Sequence, residues 1–204
     1  MMNRFSFSRR KDFAKSESGI SAVEFALIAP LMAVIYFGCI ELSLMMTLDR
    51  KVTGATAALG DLTARASNVT NDDLSDIFEA TRMVMQPSDM SKADMRVTSL
   101  IDDGTDADSS DGIDAKVVWS DACGSLSALA TDATVTIPAN LVPTNGTIIM
   151  AEIEYPFDSP IGFFFQNQKD LTDKFYLRPR RVDSITRDTS TGTVTCGYTP
   201  TPPP

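Results

Sequence analysis

Residues Ile20 to Met46 read ISAVEFALIAPLMAVIYFGCIELSLMM, and Glu24 and Glu41 are the only two side chains in this stretch that are charged at neutral pH. Phe25 to Ile40 is an uncharged run, slightly short of the ~20 residues that a helix needs to cross a bilayer. With Leu42 to Met46 added, the segment reaches about 40 Å at ~1.5 Å per residue, long enough to span. This places Glu41 near one interface, where a carboxylate is far less costly than at mid-bilayer.

The flanks of this segment differ in charge. Residues 1–19 carry Arg4, Arg9, Arg10, Lys11 and Lys15 against Asp12 and Glu17, whereas the formal net charge of the 204-residue chain is −9. Basic residues just before the apolar run predict an N-terminus kept in the cytoplasm and export of everything after Met46. A cleaved secretory signal is the rival reading. Its small-residue site would have to be Ala55-Thr56-Ala57, which lies far downstream and beyond two glutamates. An acidic body also argues against nucleic acid as a partner, since a duplex calls for a basic face. The chain contains no histidine. That removes the commonest general base and every His-containing zinc site, and leaves only carboxylate or lysine chemistry for an enzyme.

Ser18-Gly19-Ile20-Ser21-Ala22-Val23-Glu24-Phe25 resembles the processing site of type IV-pilin-like proteins. The wider phrase adds Glu17 before it, then Ala26-Leu27, Ala29-Pro30-Leu31 and Phe37-Gly38, and is similar to TadE-like proteins in particular. The resemblance is strong over roughly residues 9–66. Beyond that it is a loose pattern, with Trp119 and Glu152-Ile153-Glu154-Tyr155-Pro156-Phe157 as its most recognisable pieces. It implies a minor pseudopilin of the Flp (Tad) pilus machinery. Such a protein is a substrate of a prepilin peptidase cutting between Gly19 and Ile20, and not an enzyme. It implies other Tad/Flp pilus assembly subunits and the lipid bilayer as partners, with no cofactor, no metal, no small-molecule substrate and no nucleic acid. The implied location is the bacterial inner membrane, single-pass, with the C-terminal domain periplasmic. A permanently anchored periplasmic binding or adhesin-like module, its leader never removed, is the alternative.

Glu24 matches the glutamate at the fifth mature position of that family. Inside an apolar run a carboxylate needs a partner, and the freed amine of a neighbouring subunit would supply one. Snorkelling into the headgroups is the plainer alternative. Pro30 removes one helical hydrogen bond and is expected to bend the span, and Gly38 reads as a packing position. Cys39 within the span reads as a small apolar residue.

After the span, Met45, Leu48, Val52, Ala55, Leu59, Leu62 and Ala66 recur at spacings of three and four. This predicts that the helix continues as an amphipathic helix, weakened by Gly54 and Gly60, whose stripe packs on the exported domain or forms a coiled coil. A second helix is expected over Asn71–Gln86, capped by Thr70 or Asn71 and ended by Pro87, with Leu74, Ile77, Phe78, Thr81 and Met85 on one face. Short alternating runs follow at Met95–Ile101, Lys116–Trp119, Thr134–Pro138, Thr147–Tyr155 and Phe175–Arg181. Helices first and strands afterwards predict an α+β fold: a single N-terminal transmembrane helix continuing into an amphipathic helix, then a small antiparallel-sheet periplasmic domain. The resulting division is a cytoplasmic leader (1–19), transmembrane helix (20–46), periplasmic TadE-like domain (47–198) and Pro-rich tail (199–204).

Cys123 and Cys196 both fall in the exported part, where oxidation is expected. A bridge between them is predicted, although two cysteines alone fix no distance. The six aspartates of Asp102–Asp114 read as a solvated hairpin loop. Calcium is the alternative, against which stands the absence of an EF-hand spacing and its closing glutamate. Ser159-Pro160-Ile161-Gly162-Phe163-Phe164-Phe165 is an apolar loop whose three phenylalanines cannot share one sheet face. It belongs to the core, or meets a helix, a partner or the membrane surface. Arg178, Arg180 and Arg181 read as a salt-bridged strand edge.

Overall fold

The apolar run forms the first part of one helix, α1 (Glu17–Ala64), which passes through Pro30 without a break. The computed structural model describes residues 17–102, 113–139, 141–143, 146–162, 168–190 and 192–196. Of the expected leader, therefore, only Glu17 to Gly19 are described, and residues 103–112 of the aspartate-rich stretch and the Pro-rich tail lie outside the described residues. At 48 residues α1 is about 72 Å long. Its most apolar window has a mean hydropathy of 2.1 and none of it is buried within the fold, unlike the core helix of a soluble protein. The helix is long and apolar enough to cross a membrane once.

The C-terminal third of α1 has a different environment. Val52, Ala55 and Leu59 are buried, with Met45 and Leu48 packed against the same cluster. Leu62 departs from the expected stripe and is exposed, while Thr63 is buried in its place. At 100° per residue Thr63 lies within about 20° of Val52 around the helix axis, whereas Leu62 lies about 80° away. Thr56 and Thr63 return their hydroxyls to the carbonyls of Val52 and Leu59, which lets polar residues occupy a buried helix face.

The second helix, α2 (Asn71–Val84), is two residues shorter than expected and starts at a capping box. Thr70 Oγ1 accepts from the Asp73 backbone N–H, and Asp73 Oδ2 accepts from Thr70 N at 3.0 Å. The Thr70 hydroxyl and backbone together hold the Asp73 carboxyl below the usual aspartate range. Its share of helix stability is therefore present above the ordinary carboxylate range and is lost as the pH falls through the lowered value. Leu74, Phe78 and Thr81 are buried, as the periodicity predicts, and Arg82 is buried with them.

After a short turn of helix (Met90–Lys92), β2 (Asp94–Asp102), β3 (Ile113–Cys123), β4 (Thr134–Ile137), β5 (Thr147–Phe157) and β6 (Lys169–Leu177) form one antiparallel sheet. Its order is β4-β3-β2-β5-β6. The fold is α+β. The expected strand Phe175–Arg181 is corrected: β6 begins six residues earlier and ends before the arginines, because its register is set by pairing Leu171 with Tyr155 and Leu177 with Ile149. A two-residue parallel pair, β1 (Asn68–Val69) with β7 (Thr186–Arg187), had no signature in the alternation and ties the chain end to the helix junction.

Met95, Val97, Ile149, Ala151 and Ile153 face the helices, joined by Trp119, whose indole Nε1 donates to the Ile185 carbonyl at 2.9 Å. The opposite face carries a smaller cluster of Leu100, Ala115, Val117, Ile137, Ile148 and Met150. Trp119 and Val117 serve different faces although they are two residues apart. Trp119 pairs with Ser99 and Val117 with Leu100, so Val118 is an extra residue that reverses the alternation.

The two glycines of the outer helix differ sharply. A Cβ at Gly54 would meet nothing, but at Gly60 it would sit 2.3 Å from Leu177 Cδ1 and 3.3 Å from the Ala151 Cβ. Gly60 lets α1 approach the sheet closely. Gly54→Ala is expected to stabilise the protein by up to about 1 kcal/mol through helix propensity. Gly60→Leu is expected to destabilise it by about 1–3 kcal/mol through overpacking. Chemical denaturation of the two variants side by side tests this, and equal responses would refute the close-packing role.

Candidate processing and assembly site

Gly19 and Ile20 occupy the first turn of α1 and are exposed. A Cβ built on Gly19 touches nothing within 4 Å, so the fold itself places no demand for glycine there. Glu24 is exposed one turn further on, four residues from Ile20 and therefore on the same helix face. Around it Val23, Phe25, Leu27, Ile28 and Leu31 are all exposed, which leaves the carboxylate in an apolar sleeve with no covering from its own domain.

Residues 19–59 match a protein-family model described as TadE-like protein. The segment is TadE-like. The match begins at Gly19 and ends five residues before α1 does. It is narrower than the stretch of resemblance read from the sequence, and the sheet lies wholly outside it. No curated protein and no solved structure matches the chain.

The structure brings Cys123 and Cys196 together as a disulfide with Cα atoms 5.4 Å apart. Cys123 ends β3, and the bridge fastens the segment 192–196 beside α2, where Asn71 Nδ2 donates to the Gly192 carbonyl at 2.9 Å and Ser75 Oγ accepts from Thr195 N at 2.9 Å. Cys39 is exposed in the apolar half of α1. Among the described residues no group of side chains is arranged to hold a metal ion.

Glu41 is not bare like its neighbours on the apolar run: its side chain is completely covered by the fold, at 0% exposure. Ser159 Oγ, from the loop after β5, donates to its Oε1 at 2.7 Å. Sequence reading placed Ser159 in a loop able to meet a helix, yet nothing in the spacing linked residues 118 apart. Phe163, Phe164 and Phe165 lie outside the described residues.

Two charged arrangements were missed because their members are distant in sequence. Glu152, on β5, is flanked in register by Arg96 on β2 and Lys174 on β6. Arg96 Nε donates to Oε2 at 3.0 Å and Lys174 Nζ lies 3.0 Å from Oε1. On β7, Arg187 forms a two-pronged pair with Asp121, at 2.7 and 3.0 Å, and also reaches the Val69 carbonyl at 3.3 Å. The expected salt-bridged strand edge is corrected too. Arg180 pairs with Asp61 of α1 rather than along a strand, and Arg178 donates to the Leu141 carbonyl at 3.3 Å.

Proposed function

We propose that this chain is a minor pseudopilin-like membrane protein that assists Flp/Tad pilus assembly or secretion by protein–protein binding. It is inserted with its N-terminus in the cytoplasm and trimmed by a prepilin peptidase between Gly19 and Ile20. The observation that carries this reading is the TadE-like match starting at Gly19, on a helix that is bare over its apolar half and packed on a domain over the rest. A bare apolar helix joined to a folded domain is suited to lateral packing with other membrane helices, where van der Waals contact and polar pairs hold subunits together. The Cys123–Cys196 bridge supports an exported, periplasmic domain, since such bonds persist in oxidising compartments. A cytoplasmic N-terminus and an exported domain fit the bacterial inner membrane. No residue is assigned a catalytic role.

Mass spectrometry of the protein's N-terminus tests the processing step. The mature chain is expected to begin at Ile20, and Gly19→Leu should block cutting and lower pilus output. An intact leader in cells with active peptidase would favour the permanently anchored module instead. Glu24→Gln should leave cleavage intact but reduce assembly, if its carboxylate pairs with a neighbour's freed amine. An uncleavable leader removes that amine, so adding Glu24→Gln to it should cause little further loss. Additive losses would reject the pairing.

A further inference from the structure

Glu41 lies about 32 Å along α1 from Ile20 at ~1.5 Å per residue, close to the ~30 Å thickness of a bilayer's hydrocarbon core. A span beginning at Ile20 therefore has its outer boundary at Glu41. Just before it, Tyr36 and Phe37 are exposed, as lipid-facing residues of a span would be. Glu41 is covered because the β5–β6 loop reaches down the helix to this level. Ser159 Oγ donates to Glu41 and accepts from the backbone N–H groups of Ile161 at 3.3 Å and Gly162 at 3.1 Å.

Among the described residues of the loop, the polar side chains of Asp158 and Ser159 are partnered while Pro160 and Ile161 are not covered. Asp158 pairs with Lys92 Nζ at 3.0 Å, whereas Pro160 is exposed and Ile161 is 41% exposed. A segment entering a region of low dielectric needs this distribution, because unpaired polar groups are costly there and apolar side chains gain from leaving water.

We propose that residues 159–162, the described start of the β5–β6 loop, form a second membrane contact of the exported domain. Pro160 and Ile161 enter the boundary between headgroups and acyl chains of the outer-facing leaflet, and the Ser159–Glu41 hydrogen bond holds the loop at that depth. The occupant of this surface is lipid, because the loop is continuous with the span and meets it at the hydrocarbon boundary. A single helix crossing leaves the attached domain free to swing about its axis. A second contact removes that freedom and presents the sheet at one fixed attitude to the membrane. This inference rests on the spanning role proposed for α1.

Depth-dependent fluorescence quenching in nanodiscs containing one full-length chain each provides the test. In a Cys39→Ser background, an environment-sensitive label is placed at Ile161→Cys, Leu31→Cys or Ser190→Cys, and nitroxide lipids labelled shallow or deep in the acyl chain serve as quenchers. The Ile161 label is expected to be quenched by the shallow lipid at least about threefold more than the Ser190 label, with the Leu31 label quenched by the deep lipid. Glu41→Ala should release the loop and remove most of the quenching at residue 161, while Glu41→Gln, which still accepts from Ser159, should retain it. An unquenched Ile161 label beside a quenched Leu31 label would overturn the lipid contact and leave the span standing. An unquenched Leu31 label would overturn the span and this contact with it.

Discussion

Glu152→Ala is expected to lower the stability of the folded domain by about 3–5 kcal/mol, the range for breaking a buried ion pair by removing one partner. The side chain of Glu152 is only 3% exposed and is held from both sides, by Arg96 on β2 and Lys174 on β6. Removing it leaves the Arg96 guanidinium, itself largely buried, without its counter-charge. Arg96 would retain its bond from Nη1 to the Ser127 carbonyl at 2.9 Å, which does not neutralise it. Lys174 is half exposed and can be rehydrated, so Lys174→Ala should cost no more than about 1 kcal/mol. For a domain of this size the Glu152→Ala loss corresponds to a fall in Tm of the order of 10 °C. Thermal unfolding of both variants in detergent checks the ordering. A Lys174 variant as damaged as the Glu152 variant would show that burial of the carboxylate is not what makes the site matter.

Loss of the disulfide is expected to have a comparable effect. The bridge joins residues 73 apart in sequence, and on chain-entropy grounds a loop of that length contributes about 4 kcal/mol. Its removal in the Cys123→Ser, Cys196→Ser double variant should also loosen residues 192–196, whose remaining ties to α2 include the bonds from Asn71 and to Ser75. Denaturant midpoints with and without reductant, together with limited proteolysis near the C-terminus, report the two effects separately. Three free thiols in the unreduced, unfolded protein would show that the bridge does not form. An unchanged midpoint after reduction would show that it forms without stabilising the fold.

Most of the architecture was legible because it rests on local periodicity. The α1 stripe from Met45 to Leu59 and the Leu74–Phe78–Thr81 face reflect a 3.6-residue repeat within one segment, and the Thr70 cap and the positions of β2, β4 and β5 likewise rest on residues close in sequence. The misreadings share the opposite character. The displacement of β6 and the face reversal at Val118 are decided by cross-strand register, which a segment read alone does not carry. Gly60 looked like a flaw in a helix because its reason, the approach of Ala151 and Leu177, comes from residues about 90 to 120 positions away.

By itself, then, the sequence determined one apolar helix preceded by a basic stretch, a glutamate at the fifth residue after the Gly19–Ile20 junction, and an α+β order of elements. Those features depend on composition and short-range spacing. Tertiary structure alone decided which charges are buried. Glu41 and Glu152 are ordinary glutamates in the sequence, and one becomes a covered anchor point for a loop while the other becomes the centre of a three-strand ion cluster. Burial of a carboxylate is tolerated only where donors from distant segments converge on it, and that convergence exists only once the sheet has closed against the helix.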